Sequence, residues 1–484
     1  MDRLLLLSGV KLAEMIRNKE ISSAEAVEAH IKQIQKVNPI INAVVKDRFE
    51  QARQEARQAD EMVKSKSPEQ LPPFYGVPCT IKECFALTGM PNASGMVARK
   101  NIISNQDATA VGRVRKAGAI PLGVTNTSEL CMWYESYNKV YGRSNNPYNP
   151  KHIVGGSSGG EGAIIGAGAS PFGIGSDIGG SIRMPAFFNG VFGHKPTGTL
   201  VPATGQHPTA ENEALTYLAT GPLARRAEDL MPILRIIAGP DGKDPSTKKF
   251  QLGDPATVRI SGLNVINVPE NGAHKVSEDL RQAQQKVADY LQTKGAQVKT
   301  VKVEKLKSSI DIWSSSIDIE TKTLFRTLLG EGTGKDLSPL WELIKFPFGL
   351  SPHMLPSIVL ALLENLPRMI PSRLNKFVEM GKELRHELSE AIGPNGIMLY
   401  PSFATPAPKH NAPLFNPFRY AYTAILNIMT FPVTQVPLGL NQNGLPLGVQ
   451  VASLPGNDHL TIAIGLELEK AFGGWAPPRI AENS

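Results

Sequence analysis

The run GGSSGGEGAIIGAGASPFGIGSDIGGSIRMPAFFNGVFGHKPT, residues 155–197, restricts the fold more than any other part of the chain. Glycine and other small residues at this density pack backbone closely on backbone, or shape a loop around a ligand. Within it, GSDIGGSIRMP (175–185) places a serine directly after two glycines. A structural turn would be satisfied with one glycine. Two in a row, before a hydroxyl side chain, imply that backbone N–H groups must come close to something.

Helical and strand signals alternate around this run. Ser22 followed by Glu25 fits a capping box and opens an amphipathic helix. A second helix over roughly 49–66 follows from Ala, Glu, Arg and Gln content. FYGVPCTIKE is a strand that Gly76 and Pro78 lead into, and residues 110–126 read as helix, glycine stop, strand. Beyond about 255, VRISGLNVINVPE and the helix in VSEDLRQAQQKVADYLQTKGAQV resume the pattern. The alternation predicts an α/β fold, with a central, mostly parallel, twisted mixed sheet sandwiched by helices (α/β/α). There is no internal repeat and no low-complexity linker. The whole chain, 1–484, therefore reads as one domain, with 300–400 as a helical subregion that faces a substrate channel or a membrane.

Composition removes several function classes. Hydrophobic residues make up 41% and charged residues 20%, ordinary for a globular chain with a large core. The net charge of +7 is spread without a run of five like charges. That argues against nucleic acid as a partner and allows mild attraction to anionic lipid headgroups. Cys79, Cys84 and Cys131 are too few for a disulfide framework, which points to a reducing, cytoplasmic compartment. The start, MDRLLLLSGVKL, has four consecutive leucines, too short for a secretion signal or a membrane span. A stable N-terminal anchor is therefore not expected. The stretch LWELIKFPFGLSPHMLPSIVLALLENLPRMIP (340–371) is uncharged from Phe346 to Leu363 but broken by Pro347, Pro352 and Pro356. Proline argues against a transmembrane helix there. What remains is a buried helical hairpin, or short helices that line an apolar channel or rest on a membrane surface.

Several chemistries fail on spacing. A phosphate-binding Walker loop needs Gly-Lys-Ser/Thr, which is absent after these glycines. Gly173, Gly175 and Gly179 miss the dinucleotide fingerprint by one residue. GSSGG matches a nucleophile elbow at Ser158, but nothing around His353, His410 or His459 singles out a partner histidine. Lys82, Glu83 and Cys84 are the residue types of a thiol amidase, yet adjacent strand residues point to opposite faces and cannot converge. No metal and no organic cofactor is implied.

What is left is two serines and a lysine with no obvious histidine. GGSSGGEGA (155–163), GIGSDIGGSIRMPAFFNGVFGHKPT (173–197) and GVPCTIKE (76–83) resemble the signature of the amidase signature family. Lys82 lies 75 positions before Ser157, and Ser181 lies 24 after it. TGPLARRAEDL (220–230), PSFATPAPKHNAPL (401–414), FPVTQVPLGLNQNGLPLGVQVAS (431–453) and LEKAFGGW (468–475) extend the resemblance over nearly the whole chain. They are similar to the branch whose members hydrolyse fatty-acid amides.

The resemblance implies a Ser-Ser-Lys hydrolase. Ser181 is then the nucleophile, Ser157 relays its proton, and Lys82 accepts it. A serine hydroxyl needs such a base. A lysine can serve only if burial disfavours its ammonium form. The family also has a cis peptide before the first serine, here Gly156–Ser157. Ile178, Gly179, Gly180 and Ser181 are expected to aim N–H groups at one point and hold an oxyanion. PAFFNG reads as a short helix behind them, with Pro185 in its first turn. Asp177 and Arg183 flank the nucleophile as a structural pair. Cys131, Met132 and Trp133 are candidates for the acyl pocket, with ordinary core packing as the alternative. IKE replaces the commoner IKD outside the triad. The implied substrate is a small-molecule lipophilic amide, with esters also cleaved. Aryl amides, anilides or carbamates are the alternative, and a tRNA-dependent amidotransferase subunit a further one. The reading leaves room for a peripheral membrane contact and a homodimer.

Overall fold

The computed structural model describes residues 2–365 and 371–479. Residues 366–370 of the apolar 340–371 stretch lie outside the described residues. Thirteen strands follow the chain: β1 Val44–Asp47, β2 Pro78–Lys82, β3 Ile120–Thr125, β4 Tyr137–Asn138, β5 Gly142–Arg143, β6 Phe172–Asp177, β7 Phe192–Lys195, β8 Ala219–Ala224, β9 Asn264–Asn267, β10 Gln297–Thr300, β11 Ile397–Tyr400, β12 Val433–Leu440 and β13 Pro446–Ala452. All but β4 and β5 form one sheet of eleven strands, in the order β1-β3-β2-β6-β8-β7-β12-β13-β11-β9-β10. Helices cover it, which makes the α/β architecture expected from the alternation.

The sheet is mixed in a specific way. Parallel pairings lie in two wings, β3-β2-β6 and β11-β9-β10. Between them, the neighbours from β6 to β11 run antiparallel. Strands β2, β3, β6, β7, β8 and β11 are buried along their whole length. Sheets covered on both faces produce such unbroken apolar strands, without alternation. The outer strands β1 and β10 are largely exposed, as edges are.

Local expectations are met where local chemistry governs. Ser22 and Glu25 make a reciprocal capping box on the helix Ser23–Ile41. The second helix spans Phe49–Ser65. Thr109–Lys116 leads into β3, and Glu278–Thr293 follows β9. Pro185 sits in the first turn of the helix Arg183–Phe188. Each fully buried Phe or Leu in such layers contributes roughly 1.5–3 kcal/mol. Phe172, Phe187, Phe188 and Phe192 are all fully buried around the glycine-rich run.

Over its described residues, the apolar 340–371 stretch is not a buried hairpin. It forms the helix Pro339–Lys345, a short turn at Phe346–Phe348 and the helix Leu355–Leu363. Leu340, Trp341, Ile344, Phe348 and Leu350 are more than half exposed. Among the described residues, no helix is long and apolar enough to cross a membrane.

Candidate active site

The parallel neighbours β2 and β6 bring their C-terminal ends together, the edge at which open α/β sheets commonly place ligands. Lys82 is the last residue of β2 and is fully buried. Its Nζ lies 2.6 Å from Ser157 Oγ and 2.9 Å from Ser176 Oγ. Both hydrogen-bond partners are hydroxyls. Glu83, the next residue, points the other way. Its carboxylate accepts the N–H groups of Ala93 and Ser94 and the Tyr141 hydroxyl. Burial pushes Glu83 up to about 7. Lys82 and Glu83 therefore do not converge, and Cys84, just past the end of β2, is a fully buried thiol whose Sγ lies 3.9 Å from Ser176 Oγ.

Ser157 follows a cis peptide at Gly156–Ser157. Ser136 Oγ holds this turn. It sits 3.0 Å from the Gly155 carbonyl and 3.1 Å from that of Ser157, and it accepts the Gly159 N–H at 3.0 Å. The Ser158 N–H donates to the Ser181 carbonyl at 3.2 Å and ties the two serine segments together. Ser158 Oγ is buried 3.3 Å from the Ser176 carbonyl, with no histidine bonded to it. His353, His410 and His459 are engaged or placed elsewhere, so the elbow arrangement is absent.

The glycine-rich loop presents its backbone as follows. Trp313 Nε1 donates to the Ile178 carbonyl at 2.7 Å, and Thr423 Oγ1 to the Gly179 carbonyl at 2.8 Å. The carbonyls are thus held outward. The amides of Ile178, Gly179 and Ser181 make no hydrogen bond among the described residues. The Gly180 amide differs, since it donates to Asp177 Oδ1 at 2.8 Å. Of the four expected oxyanion donors it is the one whose proton already has an acceptor. Gly180 is glycine for a steric reason. Its φ is +117°, and a Cβ there would collide with Thr423 Oγ1. Ser181 is 8% exposed, Ser157 1% and Lys82 0%. Of the three, Ser181 is the one a substrate can meet.

Asp177 and Arg183 brace the loop. Arg183 Nε and Nη2 lie 3.0 and 2.9 Å from the two Asp177 oxygens, and both residues are fully buried. Arg183 also reaches the Thr423 carbonyl, Gln450 and Asn427. Burial alone would raise the Asp177 carboxyl. The guanidinium, with Asn427, instead holds it well below the usual carboxylate range.

The pocket candidates divide. Cys131 Sγ lies 3.4 Å from Thr127 Oγ1. Met132 packs on the cluster of Met96, Leu130, Leu329 and Ala361, beside the apolar helices. Trp133 stacks on Tyr134, and an aromatic chain continues through Tyr420 to Trp313 at ring distances of 5.1–5.9 Å. Three contributors were not singled out from the sequence. Ser176 stood inside the quoted motif, two positions from Ile174 on a strand, so period-two alternation could have placed it on one face. Trp313 and Thr423 carry no local signal, because they reach the loop from distant helices.

A family profile described as Amidase matches residues 25–462. The chain is 49% identical to fatty-acid amide hydrolase 2 of Homo sapiens, over 99% of this chain and 91% of that one. It is 48% identical to fatty-acid amide hydrolase 2-A of Danio rerio, over 98% and 90%. A solved structure described as fatty acid amide hydrolase shares the fold, with a TM-score of 0.77, 21% identity, and coverage of 98% and 86%.

Proposed function

The chain belongs to the amidase signature family, an amide-hydrolysing family, and on that premise we propose that it cleaves lipophilic carboxamides, fatty-acid amides above all, through an acyl-enzyme on Ser181. The observation that carries the reading is the buried contact between Lys82 and Ser157 in a pocket of hydroxyls. Lys82 takes the Ser157 proton as Ser157 takes that of Ser181. Ser181 Oγ then attacks the carbonyl carbon. The oxyanion faces the Ile178, Gly179 and Ser181 amides. Losing one such donor typically costs ~2.7–4 kcal/mol. The proton returns through Ser157 to the leaving nitrogen, and water releases the acid by the same steps in reverse.

The substrate class draws on two supports. Similarity to enzymes named for fatty-acid amides runs over nearly the whole chain. The apolar helices also put Leu340, Trp341, Ile344, Phe348 and Leu350 on the outside. A patch of this kind suits peripheral contact with a lipid surface, from which a long-chain amide could enter.

Two measurements test the proposal. A fluorophosphonate should form its adduct on Ser181, found by peptide mapping; an adduct on Ser158 would revive the elbow. Across a series of N-acyl amines, kcat/KM should climb with acyl length, by up to about fourfold per methylene, the equivalent of ~0.8 kcal/mol per buried CH₂. A flat or falling series would move the substrate to small or aryl amides.

A further inference from the structure

One loop lies against both the Gly156–Ser157 turn and the apolar helices. It runs from Thr127 to Trp133, closed by Ser128 Oγ donating to the Trp133 carbonyl at 2.9 Å. Leu130 and Cys131 have φ of 49° and 59°, a region non-glycine residues seldom occupy. Two such residues in succession persist only where the surroundings hold them. On one side, the Trp133 carbonyl packs so closely on Gly156, the residue before Ser157, that a Cβ there would collide with it. On the other, Leu130 is fully buried in the cluster with Leu329 and Ala361, the latter on the helix Leu355–Leu363.

Between them, Glu129 turns toward the apolar helices. The residue is 2% exposed. Its Oε2 accepts the Met354 N–H at 2.9 Å, and its Oε1 lies 2.9 Å from His353 Nδ1. Met354 is the N-cap of the helix Leu355–Leu363 and offers no capping side chain of its own. The Glu129 carboxylate therefore supplies, from another part of the chain, the acceptor that a helix start needs. The connection continues beneath the exposed apolar face. The His353 N–H donates to Ser351 Oγ at 3.2 Å, and Ser351 Oγ donates to Glu342 at 2.7 Å. Glu342 lies on the helix Pro339–Lys345. Buried polar groups in so apolar a hairpin are costly unless they satisfy one another, as these do.

We infer that Glu129 is a positioning residue that sets acyl-chain preference, by fastening the apolar helices 339–363 to the loop that lies against Gly156, next to Ser157. The inference rests on the fatty-amide reading above. Releasing Glu129 frees the helices, and with them the apolar cluster of Leu130 and Ala361 on which the pocket candidate Met132 packs, to shift while Lys82, Ser157 and Ser181 stay in place. Long acyl chains then lose contacts that short ones never make.

The experiment compares the full chain with Glu129→Gln, His353→Gln and the double variant, on long-chain and two-carbon N-acyl anilides. Glu129→Gln should raise KM for the long-chain substrate about tenfold, with kcat and the short-chain rate within about threefold. The double variant should be no worse than the more affected single variant, because both break one connection. A folding defect would instead lower both substrates together, and that outcome overturns the inference. So does a chain-length series in Glu129→Gln that climbs as steeply as in the parent. A series that is flat in the parent itself sinks the fatty-amide reading and this inference with it.

Discussion

Lys82→Ala should lower kcat on an N-acyl amine by about 10⁴-fold, and on the ester of the same acid by only about 10²-fold. The difference follows from the leaving groups. An expelled amide nitrogen must be protonated as it departs, whereas an alkoxide leaves more readily without help. Lys82 supplies that proton through Ser157, at 2.6 Å. Without the amine, Ser181 still faces the loop amides, so part of the oxyanion stabilisation survives. Lys82→Arg should rescue nothing, because a guanidinium does not give up its proton in this range. The check is a pair of steady-state series on matched amide and ester, with circular dichroism and thermal melting to show that the variants are folded. Equal losses on the two substrates would remove the relay from the mechanism.

Arg183→Ala should destabilise the fold by about 3–5 kcal/mol, the usual cost of stripping one partner from a buried ion pair. Asp177 would keep its burial and lose the guanidinium that touches both its oxygens. The Thr423 carbonyl, Gln450 and Asn427 would each lose a donor. The pH dependence has a definite sign. The native Asp177 carboxyl is held below its unfolded value. Its contribution is therefore present above about pH 4, the ordinary carboxyl value, and is lost as pH falls toward the native one. In the variant, burial loses its largest opponent, with Asn427 and the loop amides left against it, and the carboxyl rises. The deficit should then be largest near neutrality and should shrink toward acid. Denaturant midpoints from pH 4 to 7 measure this. An unchanged midpoint at pH 7 would show that the pair does not brace the loop.

How much of this was legible beforehand depends on the range of the interaction. The capping box at Ser22 and Glu25, the helix Phe49–Ser65 and the turn before Ser181 are each set by residues within one or two turns of one another. Their side-chain chemistry is local, so a linear reading finds them. Lys82, Ser157 and Ser181 were nameable as a set, and their roles remain proposals. The oxyanion donors were nameable only as a group of four. Gly180 gives its N–H to Asp177 only three positions away, but the Ile178 and Gly179 carbonyls are drawn outward by Trp313 and Thr423, more than a hundred positions distant. The antiparallel middle of the sheet is of the same kind, since strands buried on both faces carry no mark of direction.

Residue order alone settled which chemistry is available: two hydroxyls, one amine, and glycines where a side chain would block the backbone. It settled this because chemical type and steric size belong to each residue wherever it lies. Folding in three dimensions decided which hydroxyls the amine touches, with Ser176 beside Ser157. It decided which amides are left free, and that the apolar helices turn outward yet are tied at Glu129 to the loop beside the relay. Distance and orientation between remote segments arise only when the layers pack, and no stretch of sequence contains them.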